Sequence, residues 1–467
     1  MEASMSAPVD TVQLAVAVEK PTSPRLTDLF GMDAARQFGE SLSLDLKDYK
    51  GGKIRWSDID PGCLFYGPPG TGKTTVARAI AAHCQVGFIA TSYAAWTKGE
   101  SSTDTISQIK ETFEVARKNA PCIVFIDEID SFPRRGYGAH NAAVFTLLTN
   151  ALLTEVGSSR GVVVIAACND ISNLDPALMR SGRLDQAIEV PLPSPNDLAG
   201  IVRYCLGADA HRCSDIDRLA LLCVGKSGAD IAKMVRKARR IARARKMPLS
   251  DEHLELAITE ELLKLSPAQR RVIAVHEAGH AAIAYRQKPD SEIVVSLASA
   301  AAARSIDHDG ALKSREEIEA EMIVLLAGRA AEEVLLGQVT GGAGGTENSD
   351  LARASRMALE GIARRGMSAQ GHLFWYAPNG APGLVETTCG VEADAWLGEA
   401  YQAAVAQVRH HAVFVAMIAY ALIERGALQG SEFAHIDRTM EKVAETHSKA
   451  DMLAALNFPH TEPVGIQ

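Results

Sequence analysis

The sequence lacks a long hydrophobic run. A membrane-spanning helix needs about 20 mostly apolar residues, and the three nearest candidates fall short. Thr11–Val18 and His411–Ile423 are too short, and Gly136–Thr154 is interrupted by His140, Asn141, Asn150 and three threonines. No basic N-terminal region precedes an apolar core and cleavage site, so no signal peptide is expected. The eight cysteines, at 63, 84, 122, 168, 205, 213, 223 and 389, form no CxxC pair. They read as buried or free thiols of a reducing cytoplasm, not as a disulfide framework. A basic excess is absent too: 48 Lys and Arg face 57 Asp and Glu, for a formal net charge of −9. That balance argues against a general nucleic-acid binder. No tandem repeat is visible.

What is present suffices for real cores. The 467 residues are 47% apolar and 22% charged, which suggests about three globular domains. Met1–Pro24 reads as a flexible tail. Short apolar runs follow at Cys63–Tyr66, Ile123–Ile126 and Val162–Ala167, separated by helical patterns such as Thr74–His83. Strands alternating with helices imply a parallel sheet covered on both faces. Pro191, Pro193 and Pro195 mark a boundary, after which 196–262 reads as helices with a basic stretch at Lys233–Lys246. Ser266-Pro267 opens a second boundary as an N-cap and first-turn pair. Helices dominate from there to about 455, apart from a possible strand at Glu292–Ser296, the loop Gly341–Gly345 and the stretch Tyr376–Leu384.

The first chemical constellation is Gly67-Pro68-Pro69-Gly70-Thr71-Gly72-Lys73-Thr74. This G-x-x-x-x-G-K-[ST] pattern follows a strand and opens a helix. Its backbone N–H groups turn toward phosphate oxygens, Lys73 reaches the β- and γ-phosphates, and Thr74 offers a hydroxyl to Mg2+. Ile123–Ile126 delivers Asp127 and Glu128 to the carboxyl end of a strand, where open α/β sheets bind ligands. Asp127 holds Mg2+ through water and Glu128 polarises the attacking water. Asn169, at another strand end, is placed to touch the γ-phosphate or orient that water. Arg180 and Arg183 can neutralise transition-state charge. The order GPPGTGKT, IVFIDEID, VVVIAACND, LDPALMRSGRLD and SGAD resembles the AAA+ ATPase family over about Arg25 to Leu262. The resemblance implies that Asn169 is the sensor of the γ-phosphate. It implies that Arg180 and Arg183 are fingers reaching a neighbour's ATP in a ring, usually a hexamer. It also implies that Gly31, Met32, Gly228 and Ala229 contact adenine.

The second constellation is His276-Glu277-Ala278-Gly279-His280. On a helix the two histidines share a face and can bind one ion, with Glu277 beside them as general base. A catalytic zinc usually takes a third protein ligand. Candidates are Asp350, Glu347, His308, and Glu332 or Glu333; Asp350 stands out because it follows the Gly341–Gly345 turn and opens the helical run Leu351–Arg365. HEAGH, LAGRAAEEVLLG at 326–337 and VTGGAGGTENSDLARAS ending in RRGMS are similar to the peptidase domain of the FtsH family, membrane AAA proteases with a zinc site. The similarity runs from about Ser266 to Gly430 and implies that Asp350 is the third ligand. Glu332 or Glu333 would then orient a ligand histidine.

The chain departs from that family in several places. The family's N-terminal membrane helices are not expected in this chain. Trp96-Thr97-Lys98-Gly99 puts the aromatic one position too far from the glycine of the family's pore loop, which leaves Trp96 as the candidate pore residue. Ser101–Thr112 is longer, Val156-Gly157-Ser158 replaces the family's subunit-signalling triplet, Leu297–Ala303 replaces its proline–arginine–glycine turn, and Asn348-Ser349-Asp350 has one extra residue. The expected fold is an α/β AAA+ P-loop ATPase domain with a helical lid, followed by a mostly α-helical zincin-type metallopeptidase domain. The expected boundaries are a tail at 1–24, the α/β part at 25–193, the lid at 194–262, the peptidase at 263–460 and a tail at 461–467. The expected function is ATP-dependent proteolysis using Zn2+, ATP and Mg2+ in a homo-oligomeric ring, with protein substrates and an adaptor as partners. The alternative is an ATP-driven unfoldase or disassembly chaperone whose C-terminal half is scaffold.

Overall fold

The computed structural model describes residues 16–97, 101–132, 142–158, 160–298, 301–304, 313–346, 348–371, 389–444 and 446–456. They form two compact units, one reaching Leu192 and including Ser227–Asp230, the other made of Pro193–Lys226 and the chain from Ile231 onward.

The first unit is built on a five-stranded parallel sheet: β1 (Gly62–Tyr66), β2 (Gly87–Ser92), β3 (Cys122–Asp127), β4 (Val162–Cys168) and β5 (Gln186–Glu189), in the order β2-β3-β4-β1-β5. The central strands are continuous apolar runs because both sheet faces are covered. Strand alternation divides them between two cores. Cys63, Phe65, Phe125, Val163 and Ile165 face one, packed with helices α1 (Asp33–Lys50) and α2 (Lys73–Cys84). Leu64, Val124, Ile126, Val162 and Val164 face the other, packed with the single turn α3 (Tyr93–Trp96) and helices α4 (Ser102–Lys118) and α5 (Ala142–Ser158). Each such side chain contributes roughly 1.5–3 kcal/mol by full burial.

Two expectations change here. Residues 1–15 lie outside the described residues, but the rest of the expected tail is partly ordered on the sheet. Glu19 pairs antiparallel with Phe88 through two backbone hydrogen bonds of 2.8 and 2.9 Å, so β2 is covered at that point of its edge. Trp96, the candidate pore residue, is not exposed on a loop. It is 2% exposed, donates its Nε1–H to Thr112 Oγ1 at 3.0 Å and meets Phe132 edge-on. A large indole with its one donor satisfied is more stable in the core than on a loop surface. Lys98 and Gly99 lie outside the described residues.

The second unit begins with the lid helices α6 (Pro195–Leu206) and α7 (Ile216–Leu221), α8 (Gly228–Ala244), whose first turn lies in the first unit, and α9 (Asp251–Lys264). The lid core includes Val294 and Ala427 from a small antiparallel sheet of β6 (Ile293–Ser296), β7 (Ala301–Arg304) and β8 (Ala427–Gln429), ordered β7-β6-β8. Ser296 Oγ donates to Leu222 O at 3.1 Å, so the expected lid and the chain that follows it share one compact body. The other helices of this unit are α10 (Pro267–Gln287), α11 (Arg315–Leu336), α12 (Asp350–Arg365), α13 (Gly390–His410), α14 (Ala412–Arg425), α15 (Gly430–Ala444) and α16 (Lys449–Ala455). Ser266 caps α10 by accepting the Gln269 N–H, with Pro267 in its first turn. Among the described residues no single helix is long and apolar enough to cross a membrane. The Tyr376–Leu384 stretch and the 461–467 tail lie outside the described residues.

Candidate nucleotide and metal centres

The phosphate loop occupies the bend between β1 and α2. Gly72 caps α2 at φ +102°, a conformation that favours glycine. The backbone therefore swings so that the first α2 N–H groups, with the helix dipole behind them, are placed to receive an anion. Lys73 Nζ donates to Gly67 O at 2.7 Å, Pro68 O at 3.0 Å and Asn169 Oδ1 at 3.0 Å. Burial lowers its pKa while nearby acidic groups, Asp127 and Asp130 among them, oppose the shift. Thr74 Oγ1 donates to Asp127 Oδ2 at 2.9 Å, which brings the two expected Mg2+-side groups together. Glu128 follows in the left-handed region at φ +50°, and its N–H is held by Asp127 Oδ1. Parallel register thus gathers the ends of β1, β3 and β4 at one point.

The expected adenine residues border that loop. Ala229 N–H donates to Gly70 O at 3.1 Å, a Cβ on Gly228 would lie 3.8 Å from the same carbonyl, and a Cβ on Gly72 would meet Met32 Cε at 3.0 Å. Gly31 stands just before Met32 with φ +69°. The two arginines differ: Arg180 is exposed, whereas Arg183 is half-buried and donates to Ala177 O at 2.8 Å.

The second centre grows from a close helix crossing. A Cβ on Gly279 would sit 2.4 Å from Ala327 O, and one on Gly328 would sit 2.4 Å from His280 Nε2 and 2.7 Å from His276 Nε2. Only glycine lets α11 run this near both rings. Asp350 arrives from the first turn of α12. The extra residue in Asn348-Ser349-Asp350 has a local use, because Ser349 is the N-cap and accepts the Ala352 N–H. Asp350 Oδ2 lies 3.4 Å from His276 Nε2 and 3.3 Å from His280 Nε2.

The two histidines are aimed by groups behind them. His276 Nδ1 meets Glu332 Oε1 at 2.6 Å, and Glu332 Oε2 accepts the Thr340 N–H at 2.7 Å. His280 Nδ1 donates to Val324 O at 2.7 Å. Both rings therefore present Nε2 to the common point. Glu333, the other carboxylate considered, instead accepts the Tyr401 hydroxyl. His308 and Glu347 lie outside the described residues. Sequence reasoning missed Thr340 and Val324, since a backbone group leaves no residue-type signal.

Electrostatics fit a cation. Burial opposes charge on His276, but hydrogen bonds to Asp350 and Glu332, with Glu277 nearby, outweigh it and raise its pKa to about 9. Burial pushes Asp350 up, but the two histidines dominate and hold it well below the usual carboxylate range. Glu277 is 5% exposed, and burial raises its pKa, partly offset by the histidines. Two imidazoles and a carboxylate, with ligand atoms within 4.8 Å of one another, form a donor set suited to zinc.

Residues 63–192 match the family model described as ATPase family associated with various cellular activities (AAA), and residues 263–436 match Peptidase family M41. An ATP-dependent zinc metalloprotease FtsH 2 of Symbiobacterium thermophilum is 35% identical over 400 residues, covering 79% of this chain and 67% of the relative. The chain belongs to the FtsH family. A FtsH protein of Ruminiclostridium cellulolyticum is 32% identical over 81% of this chain and 66% of its own length. One from Acidothermus cellulolyticus is 34% identical over 75% and 55%. The chain thus spans between about half and two thirds of the length of these relatives. The FtsH-family cofactors are Zn2+ and ATP with Mg2+, and each meets a residue set of the right chemistry here.

Glu332→Gln tests the support behind the zinc site. The amide keeps the size of the carboxylate but removes its charge and leaves a weaker acceptor for His276 Nδ1–H. Zinc affinity, measured by competition with a chromophoric chelator, is expected to fall about 10–100-fold. Unchanged affinity would deny Glu332 this role.

Proposed function

We propose that this FtsH-family chain degrades proteins by coupling the two centres. Copies assemble into a ring, hexameric by family likeness. ATP hydrolysis in the first unit drives unfolding and translocation of a protein substrate, which the second unit cleaves. The observation that carries this reading is that both residue sets are complete in one chain.

In the first unit Lys73 and the loop N–H groups hold the phosphates, and Thr74 and Asp127 lie where Mg2+ is needed. Gly31, Met32, Gly228 and Ala229 border the base. Glu128 orients the attacking water, Asn169 senses the γ-phosphate, and Arg180 and Arg183 serve a neighbour's ATP. In the second unit His276, His280 and Asp350 hold zinc. The ion supplies Lewis-acid polarisation of the scissile carbonyl and of water. Glu277 takes a proton from the attacking water on its carboxylate and delivers it to the leaving amine. Its burial supports this, because a raised pKa brings uptake and release of the proton closer to neutrality.

An adaptor for substrate choice and a cytoplasmic placement belong to the same proposal. All eight cysteines are free thiols, seven of them buried, which suits a reducing compartment. Metal analysis and a casein assay on the purified protein test the reading together. One zinc per chain, with fragments in the presence of ATP, is expected. ATP turnover without zinc or fragments would instead indicate an unfoldase with a scaffold C-terminal half.

A further inference from the structure

Asp130 has no role in the sets above, yet it joins them. It lies in the short turn Ile129–Ser131 that follows Glu128. That turn is fixed at its start, where Ser131 Oγ donates to Glu128 O at 2.6 Å. From it the Asp130 carboxylate reaches across to the end of β4. Its Oδ2 accepts the Asn169 N–H at 2.9 Å and lies 3.5 Å from the Asp170 N.

The need for that acceptor follows from the sheet. The last register pair of β4 with β1 is Cys168 with Tyr66, and the last with β3 is Ala166 with Ile126. Asn169 is one residue beyond, where no strand partner remains for its N–H. A side-chain acceptor takes the place of the ladder. Asn169 then presents Oδ1 to Lys73 Nζ at 3.0 Å. One carboxylate therefore ties the turn that carries Glu128 to the strand end that carries Asn169, and through Asn169 to Lys73.

We propose that Asp130 is a positioning residue for ATP hydrolysis, fixing the spacing between Glu128 and Asn169 through its acceptor oxygen rather than its charge. The proposal rests on the ATPase reading above. Lys73 also bonds Gly67 O and Pro68 O, and Thr74 bonds Asp127, without Asp130, so nucleotide and Mg2+ binding are expected to persist largely without it. Misplacement of reacting groups by about an ångström costs on the order of 10²-fold in rate.

The test compares Asp130→Ala and Asp130→Asn in the full chain. ATPase kinetics, binding of a fluorescent ATP analogue and thermal denaturation are measured for both. Asp130→Ala is expected to lose about 10–100-fold in kcat, with KM for ATP and the Mg2+ dependence changed by less than about threefold. Asp130→Asn keeps an oxygen that accepts the Asn169 N–H and is expected to stay within about threefold of wild-type kcat. Equal loss in both variants would assign the effect to charge and overturn the proposal. So would wild-type kcat in Asp130→Ala, or a loss that merely tracks unfolded protein. Wild type that turns over no ATP would instead overturn the ATPase reading.

Discussion

Glu277→Gln is expected to stop peptide hydrolysis and to leave the rest of the protein working. The expected fall in kcat on casein is about 10³-fold, within the range for removal of a general acid–base group. The amide has nearly the shape of the carboxylate but cannot accept the water's proton. The ligand atoms of His276, His280 and Asp350 belong to other side chains, so zinc content is expected to persist. ATP hydrolysis is expected to persist as well, because Lys73, Thr74, Asp127 and Asn169 contact one another in the other compact unit. Cleavage that continues at the wild-type rate would remove Glu277 from the chemistry. Loss of zinc together with activity would make it a structural support instead.

Glu128→Gln is the counterpart in the ATPase. Steady-state ATP hydrolysis is expected to fall about 10²–10⁴-fold. Nucleotide binding is expected to be retained, because Lys73 and the Thr74–Asp127 pair are untouched. Degradation of a stably folded substrate should fall in step. A short unstructured peptide should still be cut, since the zinc ligands need no ATP for their geometry. Full degradation of the folded substrate by this variant would show an ATP-independent peptidase carrying a regulatory ring.

Much of this was legible in the sequence because both chemistries need fixed residue types at short spacings. The phosphate loop is a local bend between β1 and α2, and HEAGH is one helix turn. The central strands β1, β3 and β4 announce themselves as apolar runs. The outer strands do not: β2 ends in Thr91 and Ser92, and β5 is only Gln186–Glu189, of which Ile188 alone is buried. Half-buried edge strands give a weak pattern.

Distance along the chain is what hides the remainder. Glu332 and Glu333 are adjacent in sequence, and only the helix crossing at Gly279 and Gly328 decides that Glu332 meets His276. Trp96 looked like a displaced pore aromatic because a loop aromatic carries no mark of its own burial; Thr112 and Phe132, its partners, come from other elements. Asp130 reads as part of an acidic turn until β4 brings the Asn169 amide against it.

The central claim is that ATP hydrolysis feeds the zinc site. One assay tests it most directly: a stably folded, end-labelled protein incubated with the wild-type chain, following ATP consumption and labelled fragments together. The account predicts fragments only with ATP, and an immediate halt on adding a zinc chelator while ATP consumption continues. Fragments that form without ATP, or that keep forming in chelator, would contradict it.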